Sequence, residues 1–212
     1  MADPLAGSRF VAVLRRRRYD DAAALVEALA GAGVTAVEFT FTGSDAAAAI
    51  AATKAAHPEL AVGAGTVTSV DDLERAIAAG ADFVAAPGFD PDVFARGQAR
   101  TTMVPGALTP TEVMRCAKAG ARLVKIFPAA RFGPSYLREL TVLLPGVSFM
   151  PTGGIGIDDA SDYLAAGAVA VGVGSALTGG IDDVPDLGVI TARARRLSGD
   201  DRLMAPVPRS GR

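Results

Sequence analysis

Four Ala-Gly pairs constrain this chain more than any other feature. Ala32-Gly33, Ala79-Gly80, Ala119-Gly120 and Ala166-Gly167 each close a helical stretch and stand just before an apolar segment. Glycine just past a helix takes the left-handed cap conformation at low cost, so each pair reads as a helix stop followed by a strand. The four glycines recur at intervals of 47, 40 and 47 residues, the length of two strand-helix units. A chain of 212 residues holds four such double units and little else.

The apolar segments agree with that frame. Phe10–Leu14, Ala36–Phe41, Ala61–Gly65, Phe83–Pro87, Thr101–Gly106, Leu123–Pro128, Ser148–Gly153 and Val169–Leu177 read as strands, each ended by glycine, proline or a polar residue. Helical stretches such as Asp20–Ala32 and Val70–Ala79 separate them, with acidic residues expected in the first turn, where the helix dipole favours them. Strands alternating with helices pair in parallel, and eight units imply closure into a single-domain α/β fold, a (β/α)8 TIM barrel over residues 1–198. A doubly wound open sheet is the competing arrangement, and the quarter-barrel repeat favours the closed form. Residues 199–212, with Pro206 and Pro208, read as a mobile tail.

The repeat also aligns positions within strands. Five residues past the four glycines stand Glu38, Ala85, Lys125 and Gly172. One layer of a barrel interior comes from alternate strands, so these four share a layer. Val37, Phe39 and Phe41 on one strand and Val124 and Ile126 on the other then face the helices, leaving Glu38, Thr40, Thr42 and Lys125 inward. The structural reading of Lys125 and Glu38 is a buried ion pair, which is expensive to keep without another use. The functional reading is an amine nucleophile with a carboxylate base. Flanking by Val124, Ile126 and Phe127 disfavours the ammonium form and frees the amine to attack a ketone. The iminium so formed is an electron sink, and Glu38 moves protons among the carbinolamine, hydroxyl and enamine carbon.

Phosphate binding is read separately. Thr152-Gly153-Gly154 ends the seventh strand and Gly174-Ser175 the eighth. Barrels often bind phosphate at these two loops through bare backbone N–H groups. Two glycine turns without a ligand are the bland reading. Gly63-Ala64-Gly65-Thr66 is a weaker signal that would aim the Thr66 hydroxyl into the mouth.

Val37-Glu38-Phe39-Thr40, Gly63-Ala64-Gly65-Thr66-Val67, Lys125-Ile126-Phe127-Pro128 and Pro151-Thr152-Gly153-Gly154-Ile155 occur in this order. Over Arg9 to Thr178 the chain resembles the 2-keto-3-deoxy-6-phosphogluconate aldolases, a family that includes the bifunctional 4-hydroxy-2-oxoglutarate aldolases. The resemblance implies a metal-free class I aldolase without a cofactor, usually a homotrimer, that yields pyruvate and glyceraldehyde 3-phosphate. It implies Lys125 as Schiff-base residue and Glu38 as acid–base residue. Thr66, Pro87, Phe127 and Thr152 would line the substrate, with Gly153, Gly154, Gly174 and Ser175 at its phosphate. Gluconate-type members carry an arginine for the pyruvate carboxylate where this chain has Thr42. Galactonate-type relatives instead have an arginine closing the first strand, which Arg15 matches. Phe132-Gly133-Pro134 also resembles the galactonate type, and Thr152 the gluconate type.

Other features point away from rival functions. A net charge of −2 gives no long-range attraction to nucleic acid or an anionic membrane. Arg15 to Arg18 read as a solvated loop, in which only Arg15 has a role and Arg16, Arg17 and Arg18 are dispensable. The lone His57 reads as a surface residue and the lone Cys116 as a small buried hydrophobe. No Cys/His cluster supports a zinc or class II mechanism. The stretch Met1 to Ser8 is too short and polar for a signal peptide, and with one cysteine the expectation is a cytoplasmic protein. Two other functions fit the pattern less fully. One is a phosphosugar isomerase or epimerase without covalent chemistry, and the other is a non-catalytic phosphate-metabolite binding barrel.

Overall fold

The computed structural model describes residues 4–199; the expected tail lies outside the described residues beyond Gly199. Strands and helices alternate: β1 (Phe10–Leu14), α1 (Ala22–Ala30), β2 (Ala36–Thr40), α2 (Ala46–Ala56), β3 (Ala61–Gly65), α3 (Val70–Ala78), β4 (Phe83–Ala85), α4 (Pro91–Gly97), β5 (Thr102–Val104), β6 (Gly106–Ala107) and α5 (Pro110–Lys118). Then come β7 (Leu123–Ile126), a 3-10 turn (Ala129–Arg131), α6 (Gly133–Leu143), β8 (Ser148–Pro151), α7 (Ala160–Ala165), β9 (Val171–Val173), α8 (Ser175–Thr178) and α9 (Leu187–Ser198).

The four Ala-Gly stops are one device used four times. Gly33, Gly80, Gly120 and Gly167 have φ of +87°, +83°, +101° and +105°. After each, the next residue's N–H reaches back five residues: Val34 to Leu29, Ala81 to Ala76, Ala121 to Cys116 and Ala168 to Tyr163, at 3.0–3.1 Å. This paired closure of the last helical turn is the Schellman motif, and it aims the chain into the next strand.

All strand pairings are parallel. Six strands lie in the order β5-β4-β3-β2-β1-β9 and three in the order β6-β7-β8. The last strand lies beside the first in the six-stranded sheet. The Val169 N–H donates to the Phe149 carbonyl at 3.0 Å, and a parallel bridge joins Thr152 to Gly172, so β8 and β9 are tied. The Lys125 N–H donates to the Pro105 carbonyl at 2.9 Å, between β5 and β6.

Three expectations shift. The fifth strand is two short pieces, because Pro105 has no N–H to offer the ladder. The apolar run Val169–Leu177 is strand only over Val171–Val173, and its end turns into α8. α1 has no acidic residue in its first turn, whereas α3 has Asp71 and Asp72 behind a Ser69 cap that accepts from the Asp72 N–H at 3.1 Å.

Strand residues of one parity, such as Leu14, Val37, Phe39, Val124 and Ile126, pack with Leu25, Leu29, Leu73 and Leu137 of the helices. The other parity forms a second apolar cluster of Val11, Ala36, Ala61, Phe83, Val104, Leu123 and Met150. Each fully buried Leu or Phe contributes about 1.5–3 kcal/mol. The second cluster is the floor on which the polar residues further along the same strands stand.

Candidate active site

A cavity of about 290 Å³ opens where the strands end. Its wall contains Arg15, Glu38, Thr66, Pro87, Lys125, Phe127, Thr152, Gly153, Gly154, Gly174 and Ser175. Every site residue expected from the sequence is there except Thr42. β2 ends at Thr40 and the Gly43 N–H turns back to the Thr40 carbonyl at 3.2 Å, so strand alternation no longer aims Thr42 inward. Thr42 is exposed, and its hydroxyl meets that of Thr40 at 2.7 Å.

Lys125 and Glu38 lie in adjacent parts of the wall although 87 residues separate them. The Lys125 ammonium nitrogen is 3.1 Å from Glu38 Oε1, and both side chains are buried. Glu38 Oε2 is also buried and has no hydrogen-bond partner among the described residues. A buried carboxylate oxygen left unpaired costs about 1–3 kcal/mol. The Phe127 ring centroid lies 5.9 Å from Lys125 Nζ and forms an apolar flank.

Small residues make room for this arrangement. A Cβ on Gly65 would stand 2.0 Å from Glu38 Oε1, and one on Gly172 would stand 2.3 Å from Thr152 Oγ1. A Cβ on Gly153 would meet the Phe127 ring at 2.8 Å. Thr66, directly after Gly65, has a φ of +57°. For a β-branched residue this is strained backbone of the kind that accumulates at functional sites, about 1–3 kcal/mol. At the far end, the N–H groups of Gly153 and Gly154 make no hydrogen bond among the described residues.

The arginine run divides by position. Arg15 is exposed, lines the cavity and has no ion pair among the described residues. Arg17 pairs with Asp182, and Arg18 with Asp20 and Asp45, at the surface. Arg16 is a correction to the solvated-loop expectation. It is only 4% exposed, and its guanidinium donates to the Gly180 and Thr178 carbonyls at 2.7 and 2.8 Å. Its partners sit more than 160 residues away, so no local pattern announces them.

The sequence reading also missed Val13, Gly179, Gly180 and Ile181 as wall residues, and left Thr40 out of the site although its parity was inward. Val13 follows from the parity of Val11. Gly179-Gly180 is a second glycine pair, directly after α8, and could have been read as Gly153-Gly154 was. His57 stands between Glu27 and Glu59, at 3.6 and 3.3 Å, away from the cavity. Cys116 is fully buried, and burial pushes its thiol up to about 11. Among the described residues, no group of three or more His, Cys, Asp or Glu side chains could hold a metal ion, and no helix is long and apolar enough to cross a membrane.

Comparison with known proteins adds the family context. The profile of the KDPG and KHG aldolases matches residues 2–191. The 2-dehydro-3-deoxy-phosphogluconate aldolase of Treponema pallidum is 37% identical over 159 residues, which is 74% of this chain and 76% of that protein. The probable 2-dehydro-3-deoxy-6-phosphogalactonate aldolase of Rhizobium meliloti is 35% identical over 171 residues, 79% of this chain and 80% of that protein. A crystal structure of KDPG aldolase from Legionella pneumophila, with pyruvate captured at low pH as a covalent carbinolamine, superposes with a TM-score of 0.78 at 28% identity, over 97% of each chain.

Proposed function

The chain belongs to the KDPG and KHG aldolase family, and from that premise we propose that it is a class I aldolase with Lys125 as its nucleophile and Glu38 as its proton carrier. The observation that carries this reading is the buried Lys125–Glu38 contact at 3.1 Å in the cavity wall, with the second carboxylate oxygen unpaired. A structural ion pair gains nothing from an orphaned oxygen. A proton carrier needs one.

The neutral Lys125 amine attacks the ketone carbon of a 2-keto-3-deoxy acid, and loss of water from the carbinolamine gives an iminium. Glu38 removes the proton of the C4 hydroxyl. The C3–C4 bond then breaks, its electron pair moves into the iminium, and an aldehyde leaves. Protonation of the enamine carbon and hydrolysis return pyruvate and the free amine. The lysine supplies the electron sink that a metal supplies in other aldolases, so the reaction is metal-independent and needs no cofactor.

Arg15 holds the pyruvyl carboxylate, since a planar guanidinium can make two parallel hydrogen bonds that Thr42 cannot. Its freedom from ion pairs among the described residues and its place in the wall support this role. Thr66, Pro87 and Phe127 line the carbon chain, and Thr152 reads the C4 hydroxyl. Gly153, Gly154, Gly174 and Ser175 take the phosphate, a role supported by the unpaired N–H groups of the first two. The substrate is thus a phosphorylated keto acid of the gluconate type, with Thr152 as the residue that favours that epimer over the galactonate one.

In this reading the described residues up to Ser198 form one closed (β/α)8 barrel. The β8–β9 bridge supports closure at one seam, and the Lys125–Pro105 backbone bond at the other. The enzyme works in the cytoplasm as a homotrimer, for which exposed Met114, Phe132 and Leu143 offer apolar surface.

The test is a coupled assay of pyruvate release from both phosphorylated epimers. Pyruvate from either, faster from the gluconate form, is expected. An isomerised sugar without pyruvate would instead establish an isomerase or epimerase, and binding without turnover a non-catalytic barrel.

A further inference from the structure

Between α8 and α9 the chain passes along the rim of the cavity, where Gly179, Gly180 and Ile181 form part of the wall. This segment is short of structure of its own. Gly179 has a φ of +84°, and the segment follows a helix of one turn. Its position is set from outside. The buried Arg16 guanidinium grips the Thr178 and Gly180 carbonyls with its two terminal nitrogens. From the other side, the Gly180 N–H donates to Asp183 Oδ2 at 2.6 Å. Both polar groups of Gly180 are therefore held.

This grip has a directional consequence. In a trans peptide the carbonyl and the following N–H point in opposite directions. Fixing the Gly180 carbonyl on Arg16 therefore sends the Ile181 N–H away from the guanidinium, at a residue that lines the cavity. The Arg16 guanidinium is also ion-paired, at longer range, with Asp21. Its Nε has no hydrogen bond, and the nearest carboxylate oxygen of Asp21 stands 3.6 Å from it.

We propose that Arg16 is a positioning residue that fixes the 178–181 segment as a wall of the phosphate end of the cavity. It thereby sets affinity for phosphorylated substrates and leaves the Schiff-base step alone. This rests on the aldolase reading only in locating the phosphate end at Gly153, Gly154, Gly174 and Ser175.

Four readouts separate the roles: the KM for the phosphorylated keto acid, the KM for unphosphorylated 4-hydroxy-2-oxoglutarate, calorimetric binding of inorganic phosphate, and borohydride inactivation by pyruvate. Arg16→Lys keeps the charge but cannot span two carbonyls. It is expected to raise the first KM and weaken phosphate binding by about tenfold, the scale of one charge-assisted hydrogen bond. The second KM, and the pyruvate concentration for half-maximal borohydride inactivation, should stay within about twofold. Arg18→Lys, whose partners Asp20 and Asp45 lie off this segment, should change none of these. Equal changes for both substrates, or none, would overturn the proposal. If Arg16→Lys does not fold, exposed Asp183→Ala loosens the same segment from its other side, and unchanged phosphate affinity in that folded variant would equally overturn it. If wild type binds phosphate and Arg16→Lys weakens it while pyruvate is never captured, the aldolase reading falls and the role of Arg16 stands.

Discussion

Gly65→Ala isolates the position of the Glu38 carboxylate from its chemistry. The added Cβ would stand 2.0 Å from Glu38 Oε1, 2.5 Å from Cδ and 2.7 Å from Cγ, against an ordinary contact of 3.4 Å or more. Glu38 is completely buried, so the conflict resolves by a carboxylate shift of roughly 1.4 Å or by an equivalent backbone movement. Either displaces it from Lys125 Nζ, now 3.1 Å away. A misplacement of about 1 Å in a reacting group can cost about 10²-fold in rate, or about 2.7 kcal/mol of barrier. Overpacking of this kind destabilises a fold by about 1–3 kcal/mol, which lowers Tm by several degrees in a chain of this size. The assay pairs kcat for aldol cleavage with thermal unfolding and with end-point capture of pyruvate. The expected result is kcat down about 10²-fold in a folded protein that still captures pyruvate. Gly63→Ala is the contrast, because its Cβ would fall 2.2 Å from the ring of buried Phe83 and should act chiefly on stability. A folded Gly65→Ala with wild-type kcat would refute the claim that the carboxylate must sit where it does.

Glu38→Gln keeps the shape but cannot carry a proton, so kcat should fall by about 10²–10⁴ with phosphate affinity unchanged; near-normal cleavage would return the pair to a structural role. Arg15→Lys should raise the pyruvate concentration for half-maximal borohydride inactivation about tenfold, whereas Arg18→Lys should not; equal dependence would mean that the carboxylate is held elsewhere. Burial disfavours the thiolate and pushes Cys116 up to about 11, so at pH 8 the native protein should resist alkylation while the unfolded chain reacts readily. Fast labelling of native protein would contradict that environment.

Much of the fold was legible because its signals are local. Gly33, Gly80, Gly120 and Gly167 each end a helix through bonds spanning three to five residues, and their spacing carries the register of the strands between them. From that register Glu38 and Lys125 could be placed together although they are far apart in the chain. The failures have equally definite causes. Parity put Thr42 inside, but it stops applying where β2 ends at Thr40. The apolar run from Val169 to Leu177 hides a strand and a helix, which composition alone does not separate. Arg16 looked like its neighbours because its partners, Thr178 and Gly180, are distant in sequence and are backbone carbonyls, which no residue type reveals.

The central claim is that the Lys125 amine bonds covalently to the ketone of the substrate. Incubation with pyruvate and borohydride, followed by peptide mass spectrometry, tests it directly. The account predicts a reduced pyruvyl adduct on Lys125, unaffected by chelators and lost in Lys125→Arg. An adduct on Lys54 or Lys118 instead, or no adduct in a protein that cleaves substrate, would contradict it.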